Sequence, residues 1–397
     1  MMEILPFEVA RLPRIVFGAG TLARVPALAA QYGRRALLVT GAHSFVHSPH
    51  HGMLLDGLRQ AGMDWESFVV AGEPSPQLVD EAAARFRAAN VEVVIGIGGG
   101  SVLDAAKAIA GLLRIPHSVL DFLEGVGPEL PYSGPAVPFI AAPTTAGTGS
   151  EATRNAVLSV QGAQGFKKSF RHEKLVPEYA VLDPSLLASC PAALIAANGM
   201  DAFTQLLESY VSLKANPFTD ALALSGIRLV RDSLFAWYEQ TPEVPQARGA
   251  MLYAALLSGI ALAQAGLGSV HGLASPLGAF FPIPHGVACG TLVANCTAIN
   301  VRALRERAPG SPALAKYAHV GKVLARTMRL DDDAGLERLV DTLADWTRRL
   351  ELPRLSGYGM NVADIPRVVA HSRGSSMKTN PLVLTDGEVA ESLAARL

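Results

Sequence analysis

The sequence has few cysteines and almost no net charge. Three cysteines in 397 residues are an odd number that cannot form a complete disulfide framework, which is typical of a reducing compartment. Lysine and arginine number 34 against 35 acidic residues, so neither nucleic acid nor a charged membrane surface is an expected partner. No basic stretch followed by an apolar one opens the sequence, and glycine, proline or polar residues interrupt the apolar runs. These absences predict a cytoplasmic protein without a membrane segment.

The residues that are present predict two kinds of domain. Half of them are hydrophobic, enough for a large core in two or three domains. Up to about residue 187, short strand-like segments such as 36–40 and 92–97 alternate with single helices, as in doubly wound α/β domains with a parallel sheet. From 188 onward the sequence is rich in alanine and leucine at helical spacing, which predicts an all-α second domain.

A glycine turn follows the strand predicted over 93–97. Gly98, Gly99 and Gly100 come directly after it, and Ser101 is placed to cap the helix that begins next. Bare backbone amides at a helix N-terminus bind anions well, and glycine lets a ligand approach closely. The turn therefore predicts a pyrophosphate site for a nucleotide cofactor, with an ordinary tight strand-to-helix turn as the alternative.

Two polar segments come later in the same half. Residues 143–153 contain five hydroxyl side chains and two glycines after a predicted strand, which suits hydrogen bonding to a cofactor; the alternative is a Ser/Thr-rich turn. Residues 167–174 form the one basic cluster, which we interpret as a solvated loop or hairpin in which one lysine could face a cofactor phosphate.

The Ala/Leu-rich half holds a candidate metal site. Asp201 and Gln205 are four residues apart and share a helix face, whereas His271 and His285 flank a bend rich in proline and glycine. One carboxylate and two imidazoles suit Zn²⁺ or Fe²⁺ with an open position. The alternatives are a helix-dipole role for Asp201, early in its helix, and satisfied core histidines. Glu208 is interpreted as a solvated or structural residue.

Together these motifs resemble the iron-containing (group III) alcohol dehydrogenase family over most of the chain. The matching segments are 98–101 with Asp104 and Lys107, 143–153, 199–202, and His271 with His285. The resemblance implies a dinucleotide-binding α/β domain over 1–187 and a helical metal and substrate domain over 188–397, in a dehydroquinate synthase-like architecture. It also implies an NAD(P)-dependent alcohol dehydrogenase or aldehyde reductase, a homodimer or larger homo-oligomer, that transfers hydride between nicotinamide and a metal-bound small alcohol or aldehyde.

The resemblance also assigns roles to individual residues. The catalytic residues it implies are Asp201, His271 and His285, and with Gln205 these are the metal positions, for Fe²⁺ first and Zn²⁺ second. The cofactor-binding positions, for NAD or NADP, are Gly41, Gly98, Gly99, Gly100, Ser101, Asp104, Thr144, Thr145, Thr148 and Lys167.

Three positions depart from the family pattern. Gln205 stands where most members have a histidine ligand, and Ser275 replaces a second histidine. A glutamine oxygen is a poorer ligand for Fe²⁺ or Zn²⁺ than imidazole, so the alternatives are weaker metal binding, a different metal or no metal. Because three protein ligands are enough for a catalytic site, a bound metal is still predicted. Gly41 replaces the acid with which NAD-preferring members bind the ribose hydroxyls, so NADP(H) should be accepted, with His43 and Ser44 nearby.

Three other functions stay open from the sequence. A metal-independent reductase of the maleylacetate reductase type would act on a keto or unsaturated acid and keep its activity after chelation. A lyase like dehydroquinate synthase would use NAD transiently and show no net change in nicotinamide absorbance. A degenerate binding protein, suggested by Gln205 and Ser275, would bind the cofactor without turning over any alcohol.

Overall fold

A computed structural model describes Ile4 and residues 6–397 of the chain. The described residues form two compact units. The first, here called the α/β unit, takes Ala10–Val160 and Lys167–Cys190. The second, the helical unit, takes Pro191–Leu397 together with Gln161–Phe166 and the segment that ends at Val9.

The α/β unit is built on a six-stranded parallel sheet. Its strands follow the order β1-β8-β5-β4-β2-β3, and every pair in the sheet is parallel. A separate two-stranded sheet consists of β6 and β7. The strands of the unit are β1 (Arg14–Phe17), β2 (Arg35–Gly41), β3 (Asp64–Val70), β4 (Val93–Gly98), β5 (Phe139–Pro143), β6 (Asn155–Val160), β7 (Phe166–Arg171) and β8 (Tyr179–Leu182).

Strand β4 lies at the centre of this sheet. All six of its residues are buried, as expected of an apolar strand covered on both faces. The neighbouring strands β2 and β5 run parallel to it, so the carboxyl ends of all three strands meet at one edge, where doubly wound sheets bind ligands. The helices of the unit are α1 (Val25–Ala29), α2 (Pro49–Gln60), α3 (Pro76–Arg87) and α4 (Gly100–Leu112).

The helical unit follows the alanine and leucine periodicity closely. The alanine and leucine spacing over 192–211 predicts a helix, and α5 has these bounds in the structure, because its long apolar face can be buried. Its α-helices are α5 (Ala192–Val211), α6 (Pro217–Tyr238), α7 (Val244–Ala265), α8 (Ser269–Phe280), α9 (His285–Arg307), α10 (Pro312–Leu324), α11 (Asp332–Arg349), α12 (Ile365–His371) and α13 (Asp386–Ala394). The predicted fold class, a parallel α/β unit followed by a helical unit, is confirmed.

Three segments differ from what the sequence predicts. The sequence over 21–32, which ends at Gly33, predicts one helix, but the segment is a 3₁₀ turn followed by the short α1, with Pro26 at the start of α1. The bend predicted between the two histidines is confined to residues 281–284, because α8, with Pro276 in its interior, extends to Phe280. Helix α9, not predicted as such, is long and apolar enough to cross a membrane, but 83% of the relevant window is buried inside the protein, as in a core helix.

Candidate active site

A turn without side chains ends strand β4. Gly98 is the last residue of the strand, Gly99 is extended, and α4 begins at Gly100. A Cβ atom on Gly98 would lie 2.6 Å from the Val102 side chain, and one on Gly100 would lie 2.8 Å from Thr148, so packing alone requires glycine at both positions. The predicted capping role of Ser101 is wrong: Gly99 is the N-cap residue, and it makes no side-chain capping bond. Ser101 instead lies in the first turn of α4.

The threonine-rich loop lies against this turn. The Thr144 amide donates a hydrogen bond to the Gly98 carbonyl at 2.9 Å, and the Thr145 side chain lies 3.5 Å from where a Gly99 Cβ would be. Gly41, at the end of β2, is equally close to Val102, with 3.5 Å between its virtual Cβ and that side chain. The structure therefore brings together Gly41, Gly98, Gly99, Gly100, Thr144, Thr145 and Thr148 at one sheet edge. That they contact a cofactor stays a prediction.

Two charged side chains of α4, Lys107 and Asp104, hold the threonine-rich loop in place. The Lys107 ammonium is surrounded by the Ser150 carbonyl and hydroxyl, the Thr153 hydroxyl and the Asn155 carbonyl, at 2.6–3.1 Å. Asp104 accepts hydrogen bonds from the Ser150 hydroxyl at 2.5 Å and the Val157 amide at 3.2 Å. Burial lowers the pKa of Lys107 to about 8 although Asp104 opposes the shift. Asp104 thus holds the loop through these hydrogen bonds. Its contact with a cofactor stays a prediction.

Lys167 lies on strand β7 and is paired within the protein. Its ammonium lies 2.6 Å from a Glu73 carboxylate oxygen, and its side chain is only 9% exposed. The other Glu73 oxygen accepts a hydrogen bond from the Ser159 hydroxyl. The basic cluster is thus part of the β6–β7 hairpin, and the cofactor role of Lys167 stays a prediction.

Glu151 is a buried acid in the same loop, and sequence analysis gave it no role. Its residue is 2% exposed, and Oε1 has no hydrogen-bond partner among the described residues. Burial raises the pKa of this carboxyl to about 7. Ionising this carboxyl away from water therefore destabilises the fold at neutral pH, although a backbone hydrogen bond and the charge of Lys107 oppose the shift.

Replacing Glu151 with glutamine should stabilise the protein in a pH-dependent way. The pKa of Glu151 is raised from 4.5 to about 7 on folding, so the native state holds a proton that the unfolded chain releases between these values. The contribution of Glu151 to the free energy of unfolding of the wild type therefore falls as pH rises from 4.5 to 7, and it is constant above pH 7. E151Q should gain about 3 kcal/mol over wild type at pH 8 and almost nothing at pH 4.5.

Urea unfolding of both proteins at a series of pH values measures this difference. The exposed Glu337 on α11 provides the control, since E337Q should leave the pH dependence unchanged. A constant difference between E151Q and wild type across the pH range would contradict the assignment.

The helical unit brings together four potential metal ligands. Ligand atoms of Asp201, His271, His285 and Cys289 all lie within 4.8 Å of one another. Asp201 Oδ1 is 3.2 Å from His271 Nε2 and 3.7 Å from His285 Nε2. Asp201 is fully buried, and its Oδ2 has no hydrogen-bond partner among the residues described. A buried carboxylate oxygen without a donor, beside two imidazoles, fits a divalent cation well.

Glu208 orients one of these imidazoles. Its Oε2 lies 2.7 Å from His271 Nδ1, and its Oε1 accepts a hydrogen bond from the Val270 amide at the start of α8. Burial would lower the pKa of His271, but Cys289 and the carboxylates of Asp201 and Glu208 raise it well above its usual value. A carboxylate on Nδ1 leaves Nε2 directed at the ligand cluster, the usual arrangement behind a metal-bound histidine. Of the two interpretations given for Glu208 from the sequence, a structural role is correct and a solvated position is wrong.

Gln205 lies next to the cluster with its carboxamide already engaged. Its oxygen accepts a hydrogen bond from the Ser258 hydroxyl at 2.7 Å, and its nitrogen lies 3.5 Å from Asp201 Oδ1. Metal binding by Gln205 stays a prediction. Asp201 itself is in the middle of α5 rather than early in a helix, so the helix-dipole interpretation is wrong.

Close packing of α5 against α9 places the ligands. A Cβ on Gly286 would lie 2.7 Å from the Ala197 carbonyl oxygen, and one on Gly290 would lie 2.9 Å from Met200. These two glycines define what we call the glycine seam, where α9 meets the main chain of α5 at Ala197 and, one turn further on, the side chains of Met200 and Leu352. Sequence analysis missed Cys289, although its position four residues after His285 places both on one helix face.

Comparison with known proteins agrees with this fold and site. Residues 13–184 match the model of iron-containing alcohol dehydrogenases, and residues 195–397 match that of the C-terminal part of the Fe-containing alcohol dehydrogenase family. An NAD-dependent methanol dehydrogenase of Bacillus methanolicus is 32% identical over 96% of this chain and 97% of its own length. An NADPH-dependent butanol dehydrogenase of Clostridium saccharobutylicum is 30% identical over 88% of this chain and 86% of its own length. The crystal structure of a 1,3-propanediol oxidoreductase superposes with a TM-score of 0.89 and 28% identity, covering 99% of this chain and all of the other.

The fold and the site together define an oxidoreductase. Its sheet is of the kind that binds dinucleotides, and its ligand cluster is of the kind that binds metals. The chain belongs to the iron-containing alcohol dehydrogenase family. The predicted family and the predicted NAD(P)-dependent alcohol dehydrogenase activity are confirmed, and the maleylacetate reductase alternative is disfavoured.

Proposed function

We propose that this enzyme transfers hydride between NAD(P) and a small alcohol or aldehyde, using a metal held by Asp201, His271 and His285. The observation that carries the metal part is the buried Asp201 Oδ2, which lacks a partner among the described residues and lies beside two imidazoles. The names of the relatives, which include methanol and butanol dehydrogenases, support small primary alcohols as substrates. The glycine turn at Gly98–Gly100 and the adjacent threonines are proposed to bind the cofactor.

Each part of the site has a defined task in this scheme. A bound divalent metal supplies Lewis-acid chemistry that polarises the substrate oxygen. Glu208 accepts a hydrogen bond from the Nδ1 proton of His271, so that Nε2 is the nitrogen that would exchange its proton for a metal. The complete burial of Asp201 keeps water from screening its negative charge. The glycine turn offers backbone amides and the positive end of α4 to the cofactor diphosphate.

Following nicotinamide absorbance during turnover tests the proposal. The purified enzyme, with its metal content measured, should reduce NAD or NADP with small primary alcohols. Removing the metal with a chelator should abolish turnover, and adding back Fe²⁺ or Zn²⁺ should restore it. Turnover that survives complete metal removal would contradict the metal assignment, and no net change in absorbance with any substrate would contradict hydride transfer.

Cofactor preference should change when an acid is placed at the end of β2. Gly41 leaves this position without negative charge, so we propose that NADP(H) is accepted. A Cβ at Gly41 meets only the Val102 side chain at an ordinary 3.5 Å, so G41D should fold. The new carboxylate would repel a 2′-phosphate and bond the ribose hydroxyls of NAD, shifting the NADPH-to-NADH ratio of kcat/KM about tenfold or more towards NADH.

Asparagine at the same position is the matched control for that variant. G41N adds a side chain of nearly equal size without charge, so its preference should stay nearer to wild type. A wild-type enzyme that already strongly prefers NADH would overturn the proposal.

We also propose the domain division, the oligomer and the location. The boundary between residues 187 and 188 is supported by the two compact units, which divide near Cys190. A homodimer or larger homo-oligomer is supported by the edge strand β1, on which Ile15 and Phe17 are each 44% exposed. The three free cysteines support a reducing location such as the cytoplasm. Light scattering of the purified protein tests the oligomer.

A further inference from the structure

We propose that Cys289 is a fourth protein ligand of the metal, and that its thiolate raises the preference of this site for Zn²⁺ over Fe²⁺. The inference deepens the proposed function and rests on its metal site. Cys289 is fully buried on α9, one turn after His285, and its sulfur is directed at both imidazoles. Thiolate is a soft ligand that favours zinc, whereas Asp and His alone suit either ion.

The distances in the cluster match a tetrahedral site. Metal bonds of about 2.0–2.2 Å to nitrogen or oxygen and about 2.3 Å to sulfur put tetrahedral ligand atoms about 3.3–3.6 Å apart. The observed separations from Asp201 Oδ1 to the two imidazole nitrogens are 3.2 and 3.7 Å. From Cys289 Sγ to His271 Nε2 and His285 Nε2 they are 3.5 and 3.8 Å. These four separations, among donors from three helices, thus fit one tetrahedral coordination sphere, and all four donor atoms lie within 4.8 Å of one another.

A second observation points independently to a ligand at this place. Asp201 Oδ2 is buried and lacks a hydrogen-bond donor among the described residues. The Gln205 oxygen already accepts the Ser258 hydroxyl bond, and metal binding by Gln205 stays a prediction. The Cys289 sulfur, at 3.5 and 3.8 Å from the two imidazole nitrogens, is the better placed fourth donor, and binding a metal would release the thiol proton to solvent. With four protein ligands, the substrate oxygen would bind as a fifth ligand, a coordination number to which catalytic zinc sometimes expands in the transition state.

Cobalt provides a spectroscopic test that does not depend on activity. Metal-free enzyme is titrated with Co²⁺, and a sulfur-to-cobalt charge-transfer band in the near ultraviolet is recorded. The band should appear at one equivalent in wild type and in C296A, which removes the other buried thiol of α9. It should be absent in C289A and C289S, the latter of which keeps the volume of the side chain.

Competition experiments with chelators measure the metal preference of the same proteins. C289A should bind Zn²⁺ about 10- to 100-fold more weakly than wild type, and the loss for Fe²⁺ should be smaller. Adding Q205H to C289A should restore Zn²⁺ binding without the sulfur band, because an imidazole replaces the thiolate.

The outcomes separate this inference from the proposed function. One bound equivalent of Co²⁺ without a sulfur band in wild type overturns the role of Cys289, even if hydride transfer is intact. Unchanged Zn²⁺ affinity in C289A overturns it as well. A wild-type enzyme that binds no Co²⁺ or Zn²⁺ and still oxidises alcohols overturns the metal site of the proposed function together with this inference.

Discussion

Replacing Asp201 with asparagine should remove the metal and lower kcat/KM by at least about 10³-fold, which corresponds to ~4 kcal/mol of transition-state stabilisation. The variant keeps the shape of the side chain but removes the one carboxylate within the ligand cluster. Both imidazoles would then face a neutral amide, which is a poor partner for a divalent cation. Metal analysis and steady-state kinetics of the purified variant measure the two effects together.

The control for this variant is an exposed carboxylate of the same unit. Asp341 lies on α11 and faces solvent, so D341N changes the charge of the protein equally without touching the cluster. It should keep wild-type metal content and turnover. A D201N enzyme that retains one equivalent of metal and near wild-type kcat would contradict the ligand role.

Adding a single methyl group at Gly99 should weaken cofactor binding at least tenfold, about 1.4 kcal/mol, while leaving the fold intact. Gly99 has a φ of −72°, which alanine adopts freely, and its Cβ would meet Thr145 at an ordinary 3.5 Å. The protein therefore has room for the methyl group, but a diphosphate lying on the turn would not. Gly98 and Gly100 are less suitable for this test, because a Cβ there would clash with the protein itself.

Fluorescence titration with NADH and NADPH, together with thermal unfolding, separates the two effects in G99A. The control is G52A on helix α2, where a Cβ meets nothing within 4 Å. Its dissociation constants should match wild type. Unchanged cofactor affinity in G99A would show that the diphosphate does not lie on this turn.

The sequence predicted best those features that depend on local periodicity and covalent order. Strand β4 and the glycines after it were predictable because a short Val and Ile run before three glycines has few other conformations. Helix α5 was equally clear, since its apolar residues recur at helical spacing over twenty positions. Asp201, His271 and His285 were named as a candidate metal site from their residue types and again by the resemblance, and the structure brings them into one cluster.

Other features depended on tertiary contacts that no local pattern reveals. Helix α8 contains both Gly272 and Pro276 and looks like a bend, yet burial of its apolar face keeps it helical. Cys289 gave no signal alone, since a lone cysteine in an apolar helix resembles any small core residue. The interpretation of Glu208 as solvated was wrong because its partners, the Val270 amide and His271, lie more than sixty positions away. A search for acids one or two turns beyond a candidate ligand could have found it.

The glycine seam between α5 and α9 has a practical consequence for changing what this enzyme accepts. Gly286 fixes the spacing of the two helices through contact with the Ala197 main chain, and Gly290 does so against the side chains of Met200 and Leu352, so a Cβ at either position would change the separation of Asp201 from His285. Substitutions elsewhere in the helical unit can therefore reshape the space around a substrate while the coordinating atoms keep their places. Variant libraries should leave these two glycines untouched and place their diversity away from that contact.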